Sequence, residues 1–213
     1  MANKTRTGLE SQIADDLARG DLGIQIGEAV QTALDAYVNE RFWFNEAYRV
    51  TATLPISTAS IALSALSVRF EDFDRVRLLR TGGNFIDLYK RDYDWIMSRQ
   101  DAVTYTQPAK YCVYGDTLQF DSFGDQAYTL YIDGIKSLGN AASNTFTASD
   151  STTWFSTARE LIRHRAKREL YAHVIKDMEL AAAAAAAEGD AFNELKDKTN
   201  QRVTTGFIRP TEF

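Results

Sequence analysis

A chain of 213 residues with 45% hydrophobic content carries enough apolar side chain for one substantial core, with room for a smaller appended subdomain, and lies far from the composition of a disordered polymer. A formal charge of −5 and a pI near 5.1 exclude a protein that coats nucleic acid through bulk positive charge. The single cysteine, Cys112, excludes an internal disulfide and points to a reducing compartment.

The opening MANKTRTGLESQIADD turns polar and acidic where a signal peptide needs an apolar core. No window reaches the ~18 to 20 apolar residues of a membrane span, so no membrane partner is expected. Leu9, Ile13 and Leu17 recur at four-residue spacing and predict a short amphipathic helix, stopped around Arg19-Gly20, with Asp21 as the next cap. From Ile24 the stripe Ile26, Val30, Ala33, Leu34, Tyr37, Val38 and Phe42 predicts a longer second helix of about five turns, running into RFWFNE at 41–46. The aromatic cluster Phe42, Trp43, Phe44 and Tyr48 at its end reads as a joint between subdomains.

The period then changes. Residues 49–54, 75–79, 85–90, 110–114, 117–121 and 127–133 are short stretches rich in β-branched and aromatic side chains, separated by the turn signals TGGN, YGD and FGDQ. They predict a compact antiparallel sheet or small sandwich. Between them RDYDWIMSRQ at 91–100 suits a short helical turn anchored by Trp95.

After the polar stretch 137–151, Ser151 or Thr152 is placed to cap a helix carrying Phe155, Ala158, Ile162, Ala166, Leu170 and Val174. This helix is expected to continue, with or without a kink, into the seven alanines Ala181 to Ala187; Gly189 ends or bends it, and 191–200 adds a further helical stretch. Alanine is the strongest helix former and has no bulk beyond Cβ, so this run is either a solvated spacer or a place where something large approaches the backbone. The last residues, QRVTTGFIRPTEF, lack amphipathic period yet hold Val203, Phe207, Ile208 and Phe213. The predicted class is α+β: a helical bundle (N-terminal helix pair plus long C-terminal helices) with an inserted small antiparallel β domain and an extended C-terminal tail. Its parts are 1–48, 49–136, 137–200 and 201–213.

No catalytic, cofactor-binding or metal residue is assigned. His164 and His173 are nine residues apart, about 900° of helix, so they point to opposite sides and do not share a metal. HExxH, GxSxG, the Walker-type glycine loop and GxGxxG are absent, and the carboxylates at 72–74, 91–94 and 115–116 lie beside turns. The strongest charged feature is RELIRHRAKREL at 159–170. Its bases Arg159, Arg163, Arg165, Lys167 and Arg168 spread over most of the polar arc, which fits a solvated or partner-facing flank, or ion pairs with acids of a neighbouring subunit. The alternative is a DNA-binding module using the basic helix 159–176.

The order helix, helix, RFWFNEAYRV, then LYKRDYDWI, then QPAKYCVYGDTLQFDSFGDQAYTLYIDG, then long helices, resembles the head-to-tail adaptor (connector) proteins of tailed bacteriophages. The matching parts are 42–46, 93–96, Pro108, Tyr111, 115–118 and 128–131, within a resemblance spanning roughly residues 9–180. Asp121-Ser122-Phe123 stands where a proline usually follows the GDTL strand, and the alanine run and tail are this chain's own. The resemblance implies a structural virion protein made in the host cytoplasm, without catalysis or cofactor. It implies a homo-oligomeric ring, commonly of twelve copies, docked beneath the portal protein in the neck at the capsid vertex. Such a ring extends the DNA channel, passes DNA without sequence-specific binding and presents a surface to the next tail or nozzle protein.

On that expectation Ala181, Ala183, Ala184 and Ala187 form a close helix contact with the portal or a neighbour, and glutamates at 183 and 184 block assembly while the monomer stays folded. Phe207, Ile208 and Phe213 order on a partner, so loss of 201–213 weakens docking more than stability. Arg159, Arg163 and Lys167 make ring ion pairs or face DNA.

Overall fold

Thr5 starts the first helix: its hydroxyl accepts from the Gly8 amide (3.1 Å), and α1 (Arg6–Leu17) follows with Leu9 and Ile13 fully buried. The computed structural model describes residues 5–80, 82–137 and 153–204, with 203 and 204 by backbone alone. It divides the chain into two units, 1–44 with 145–213, and 45–144. The chain is mixed α+β, with six α-helices and one curled seven-stranded sheet among the described residues.

Within the helical unit, α1 ends sooner than expected, at Ala18 and not at Gly20. Ala18 itself takes the left-handed conformation (φ 51°), and its amide and that of Arg19 close the helix end onto Asp15 and Ala14 carbonyls. Asp21 does not cap: its carboxylate receives Arg19 Nε and Nη2 (2.7 and 2.8 Å), inside a 3-10 turn at Gly20–Leu22. α2 (Gly23–Ala36) buries Ile26, Ala29, Val30, Ala33 and Leu34 but stops well before RFWFNE. The reason is angular. Tyr37 and Phe42 are five residues apart, which on a continued helix separates them by about 140°. The turn after Tyr37 brings both inward, to 9% and 0% exposure.

The C-terminal helices are α4 (Thr153–Thr157), α5 (Arg159–Glu169) and α6 (Met178–Thr204). A π-helical segment, Leu170–Ile175, extends α5. Lys176 then takes a left-handed conformation (φ 62°), Asp177 caps α6 through Oδ1 on the amides of Glu179 and Leu180, and α6 returns antiparallel along α5. The predicted continuity is therefore broken at 176. Gly189, by contrast, does not end the helix: α6 runs through it, because Leu195 and Thr199 beyond it are buried on the face that buries Ala181, Ala184 and Glu188. Ser151 and Thr152 lie outside the described residues, as does the tail from 205 on, while Gln201–Thr204 continue α6.

The second unit is built on β1 (Glu46–Leu54), β2 (Ser60–Ala62), β3 (Phe70–Leu79), β4 (Phe85–Lys90), β5 (Lys110–Tyr114), β6 (Thr117–Phe120) and β7 (Tyr128–Lys136), with α3 (Tyr93–Gln100) between β4 and β5. The sheet order is β1-β7-β3-β4-β5-β6-β2. The pairing is antiparallel except for β4 with β5, which is parallel because the chain passes through α3 before re-entering the sheet. The three-residue β2 escapes the sequence pattern through its brevity. Gly82 and Gly83 take positive φ (108° and 86°) in the β3–β4 hairpin, which the TGGN signal marks.

Leu54, Val76, Leu78, Leu118, Phe120, Leu130 and Ile132 form the dry centre of this unit. Ile96, fully buried, anchors α3; Trp95, the predicted anchor, is only partly buried, with Lys110 Nζ 4.4 Å from its ring centroid. The pairing is irregular on both sides of β7. Opposite Asp133, β1 carries two residues, Tyr48 and Arg49, and β3 is irregular on both sides of its Asp72–Phe73 pairs. Gly134 makes this possible, since a Cβ there would sit 2.1 Å from the Asp72 carbonyl oxygen. The first and last strands also begin and end side by side: Glu46 pairs with Ile135, and the Lys136 amide donates to the Asn45 carbonyl (2.7 Å).

Candidate functional site

α5 carries its charge on two sides, and each side meets a carboxylate of the same chain. Arg159, Arg163 and Lys167, spaced by four, point to α1. Arg159 donates to Gln12 Oε1 and the Gly8 carbonyl (2.9 Å each), Arg163 grips Asp16 through Nε and Nη2 (2.8 Å each), and Lys167 Nζ lies 3.5 Å from Asp16 Oδ2. The residues read as ring or DNA contacts thus tie α1 to α5. Sequence spacing already put these three on one side, but the acid they meet is about 150 positions away and left no local trace.

On the opposite side Glu188, 7% exposed, accepts from the Tyr37 hydroxyl (2.5 Å), Arg165 Nη1 (3.4 Å) and Arg168 Nη1 (3.2 Å). Arg165 also pairs with Glu169 (2.8 Å). Burial and the Glu188 charge push the Tyr37 phenol well above the ordinary tyrosine range. Aromatic rings continue this contact: Phe192 on α6 stacks with Tyr37 and meets Phe42 edge-on, and Phe42 and Phe44 pack on Trp154. Tyr48 belongs to the other unit, where it stands 71% exposed at the β1 irregularity.

The alanine run divides by helical face. Ala181 and Ala184 are buried within the chain at 6% exposure each, Ala187 is partly buried, and Ala183 is exposed. Ala181, Ala182 and Ala185 floor a groove of about 310 Å3, walled by Arg168, Ala172, His173 and Met178. Around the α5–α6 turn Val174, Met178 and Leu180 are 41%, 70% and 44% exposed. Phe207, Ile208 and Phe213 lie outside the described residues.

The solvent face of the sheet holds a patch that the sequence reading missed. Arg49, with φ 53°, donates its amide to Asp133 Oδ1 (2.7 Å) and holds its guanidinium over the rings of Tyr48 and Phe85; Arg77 reaches Asp133 Oδ2 (2.9 Å) and also lies over Phe85. Period-two alternation in 75–79 and 127–133 was the available signal, since it puts Arg75, Arg77, Tyr131 and Asp133 on one face.

The histidines are separate. His164 lies 3.7 Å from Glu160 and His173 3.3 Å from Glu169, and burial holds the His164 imidazole below its ordinary range. Among the described residues no group of three or more His, Cys, Asp or Glu is placed to hold a metal, and no helix is long and apolar enough to cross a membrane. Cys112 is buried, which raises its thiol. In comparisons with known proteins, a family model described as SU10 adaptor protein matches residues 4–210, and no curated protein matches the chain.

Proposed function

The chain belongs to the SU10 adaptor protein family, structural adaptors of tailed phages, and on that premise we propose that it is the head-to-tail adaptor of its virion. The observation that carries this reading is the family match over all but three residues at each end. In this reading twelve copies form a ring in the neck, beneath the portal protein. The ring lengthens the DNA channel and offers its far surface to the next tail or nozzle protein. The helical unit acts as a bundle and the strand unit as its insertion.

A closed ring needs two different patches on each copy. Two exposed surfaces of suitable chemistry are available: the alanine face at Ala182, Ala183 and Ala186 with Met178, and the Tyr48, Arg49 and Phe85 patch. Tyrosine, phenylalanine, methionine and arginine are the side chains enriched in protein interfaces. The tail residues Phe207, Ile208 and Phe213 are assigned to the portal contact on chemistry alone.

A DNA-binding role for helix 159–176 is less well supported, because Arg159, Arg163 and Lys167 are engaged with α1. Imaging the chain mixed with its portal protein tests the proposal directly: a ring stacked on the portal is expected. Absence of the chain from the neck of intact particles would overturn it. A salt titration with duplex DNA separates the two roles, since phosphate binding falls steeply with salt. Arg163→Ala is expected to lower stability by about 1 kcal/mol and to leave duplex binding unchanged.

A further inference from the structure

We propose that the turn at Lys176–Asp177 is a two-state element, and that on assembly it straightens so that α6 leaves its own α5 and packs on α5 and the 37–42 segment of a second copy. This rests on the adaptor reading, which supplies the neighbouring copies.

Nothing in the sequence from Arg159 to Glu188 requires a break, for it contains neither glycine nor proline. Yet the helix breaks at Lys176, a non-glycine residue held in the left-handed region at φ 62°, a conformation that costs free energy and that a continuous helix removes. The preceding π-helical segment, Leu170–Ile175, is a rare geometry that relaxes to α with a change of register downstream. The apolar pattern supports the second state. Ala166, Leu170, Val174, Met178, Ala181 and Ala185 follow at spacings of three and four, one unbroken stripe on a straight helix. In the hairpin that stripe is interrupted where it should be strongest, and Val174 and Met178 stand in solvent.

Straightening alone would uncover Tyr37, Phe42, Arg165 and Arg168, so the vacated site needs an occupant of the same chemistry. The α6 of another copy is that occupant: Glu188, Phe192 and Lys196 would meet the neighbour's α5 and 37–42 segment as they now meet their own, remaking the same bonds and ring stacking between copies. Exchange of an identical element is a low-cost route to oligomers, and a short strained hinge favours it.

The test uses the full chain carrying Ala172→Cys and Ala181→Cys, two positions that line one groove across the turn; native Cys112 is buried and does not compete. Assembled with the portal, oxidised and denatured without reductant, the exchanged state gives covalent multimers. Assembled rings that yield only covalently closed single chains overturn the exchange and leave the adaptor reading intact, whereas wild-type chains that never associate, alone or with portal, overturn both. Lys176→Gly gives an independent measure without the cysteines, read as the ratio of subunits whose α6 label transfers energy to an α5 label on another copy to those whose labels pair within one copy. It should lower that ratio about fivefold through the left-handed term and about fivefold again through helix propensity. Asp177→Ala, which deletes the α6 cap, should raise the ratio about fivefold. No change in either variant overturns the proposal.

Discussion

The Tyr37 hydroxyl donates to Glu188 from 151 positions away, and the carboxylate it meets is almost wholly withdrawn from water. Two arginines of α5 complete the shell, so the turn after α2 converges with α5 and α6 on one charge. A buried acid with its partners present is close to neutral for stability, but stripping the partners of their acid is not. Glu188→Ala is therefore expected to cost the helical unit about 3 kcal/mol, and Glu188→Gln, which still accepts from Tyr37, about 1 kcal/mol. Urea denaturation followed by Trp43 and Trp154 fluorescence, in a Trp95→Phe background, reads both; equal effects would show that the charge itself contributes nothing.

The same contact sets an alkaline limit. The Tyr37 phenol is raised above its ordinary value of 10.0, first by burial and then by its bond to Glu188. A raised folded-state value means that the folded chain holds the proton more tightly than the unfolded one. The contribution is complete below pH 10 and is lost as pH climbs from there toward the folded-state value. Stability should thus be flat into mildly alkaline solution and fall beyond pH 10, with Tyr37→Phe removing part of that slope. Burial also raises Tyr171 in this unit, so a residual slope is expected in the variant.

At Gly134 the limit is steric. An added methyl group would meet the Asp72 carbonyl oxygen at 2.1 Å, and that oxygen belongs to backbone paired in the sheet. Gly134→Ala is expected to cost more than about 4 kcal/mol. The far-ultraviolet strand signal and Trp95 emission should register this loss, while the helical unit keeps its own transition. A mild effect would mean that β3 shifts easily at its irregular positions.

Neighbouring alanines should behave differently from one another. Ala184 is buried in the chain's own helix contact, so Ala184→Glu is expected to unfold the helical unit by about 3 kcal/mol or more. Ala183 is exposed, so Ala183→Glu should change stability by less than about 0.5 kcal/mol and yet reduce binding to the portal or to further copies. Calorimetry beside a portal pull-down separates the two readouts. Unimpaired assembly by the Ala183 variant would remove this helix face from the interface. Pairing the two substitutions, as the sequence alone suggests, would confuse folding with assembly.

Local pattern was enough to read most of the strands. The ranges 85–90 and 110–114 coincide with β4 and β5, because each is a short β-branched and aromatic run with a glycine turn at one end. Periodicity also found α1 and α2 but misjudged where each stops, and the polar, irregular run at 91–100 marked α3. The break after Ala36 is dictated by the need to bury Tyr37 and Phe42 together, a tertiary demand with no local marker. The turn at Lys176 is hidden for the same reason: an αL lysine has no sequence signature, and the apolar spacing runs straight through it. The Asp16 and Glu188 contacts could not be read, since they join residues far apart in the chain. What was legible beyond pattern was the order of motifs, FWFNE, then DYDWI, then GDTL, and this order carried the family.

Because Glu46 lies against Ile135 and Lys136 against Asn45, the first and last strands of this unit bring their outer ends together. A stretch closed in that way can lengthen, shrink or be traded for another of its kind during descent without moving its own two ends apart.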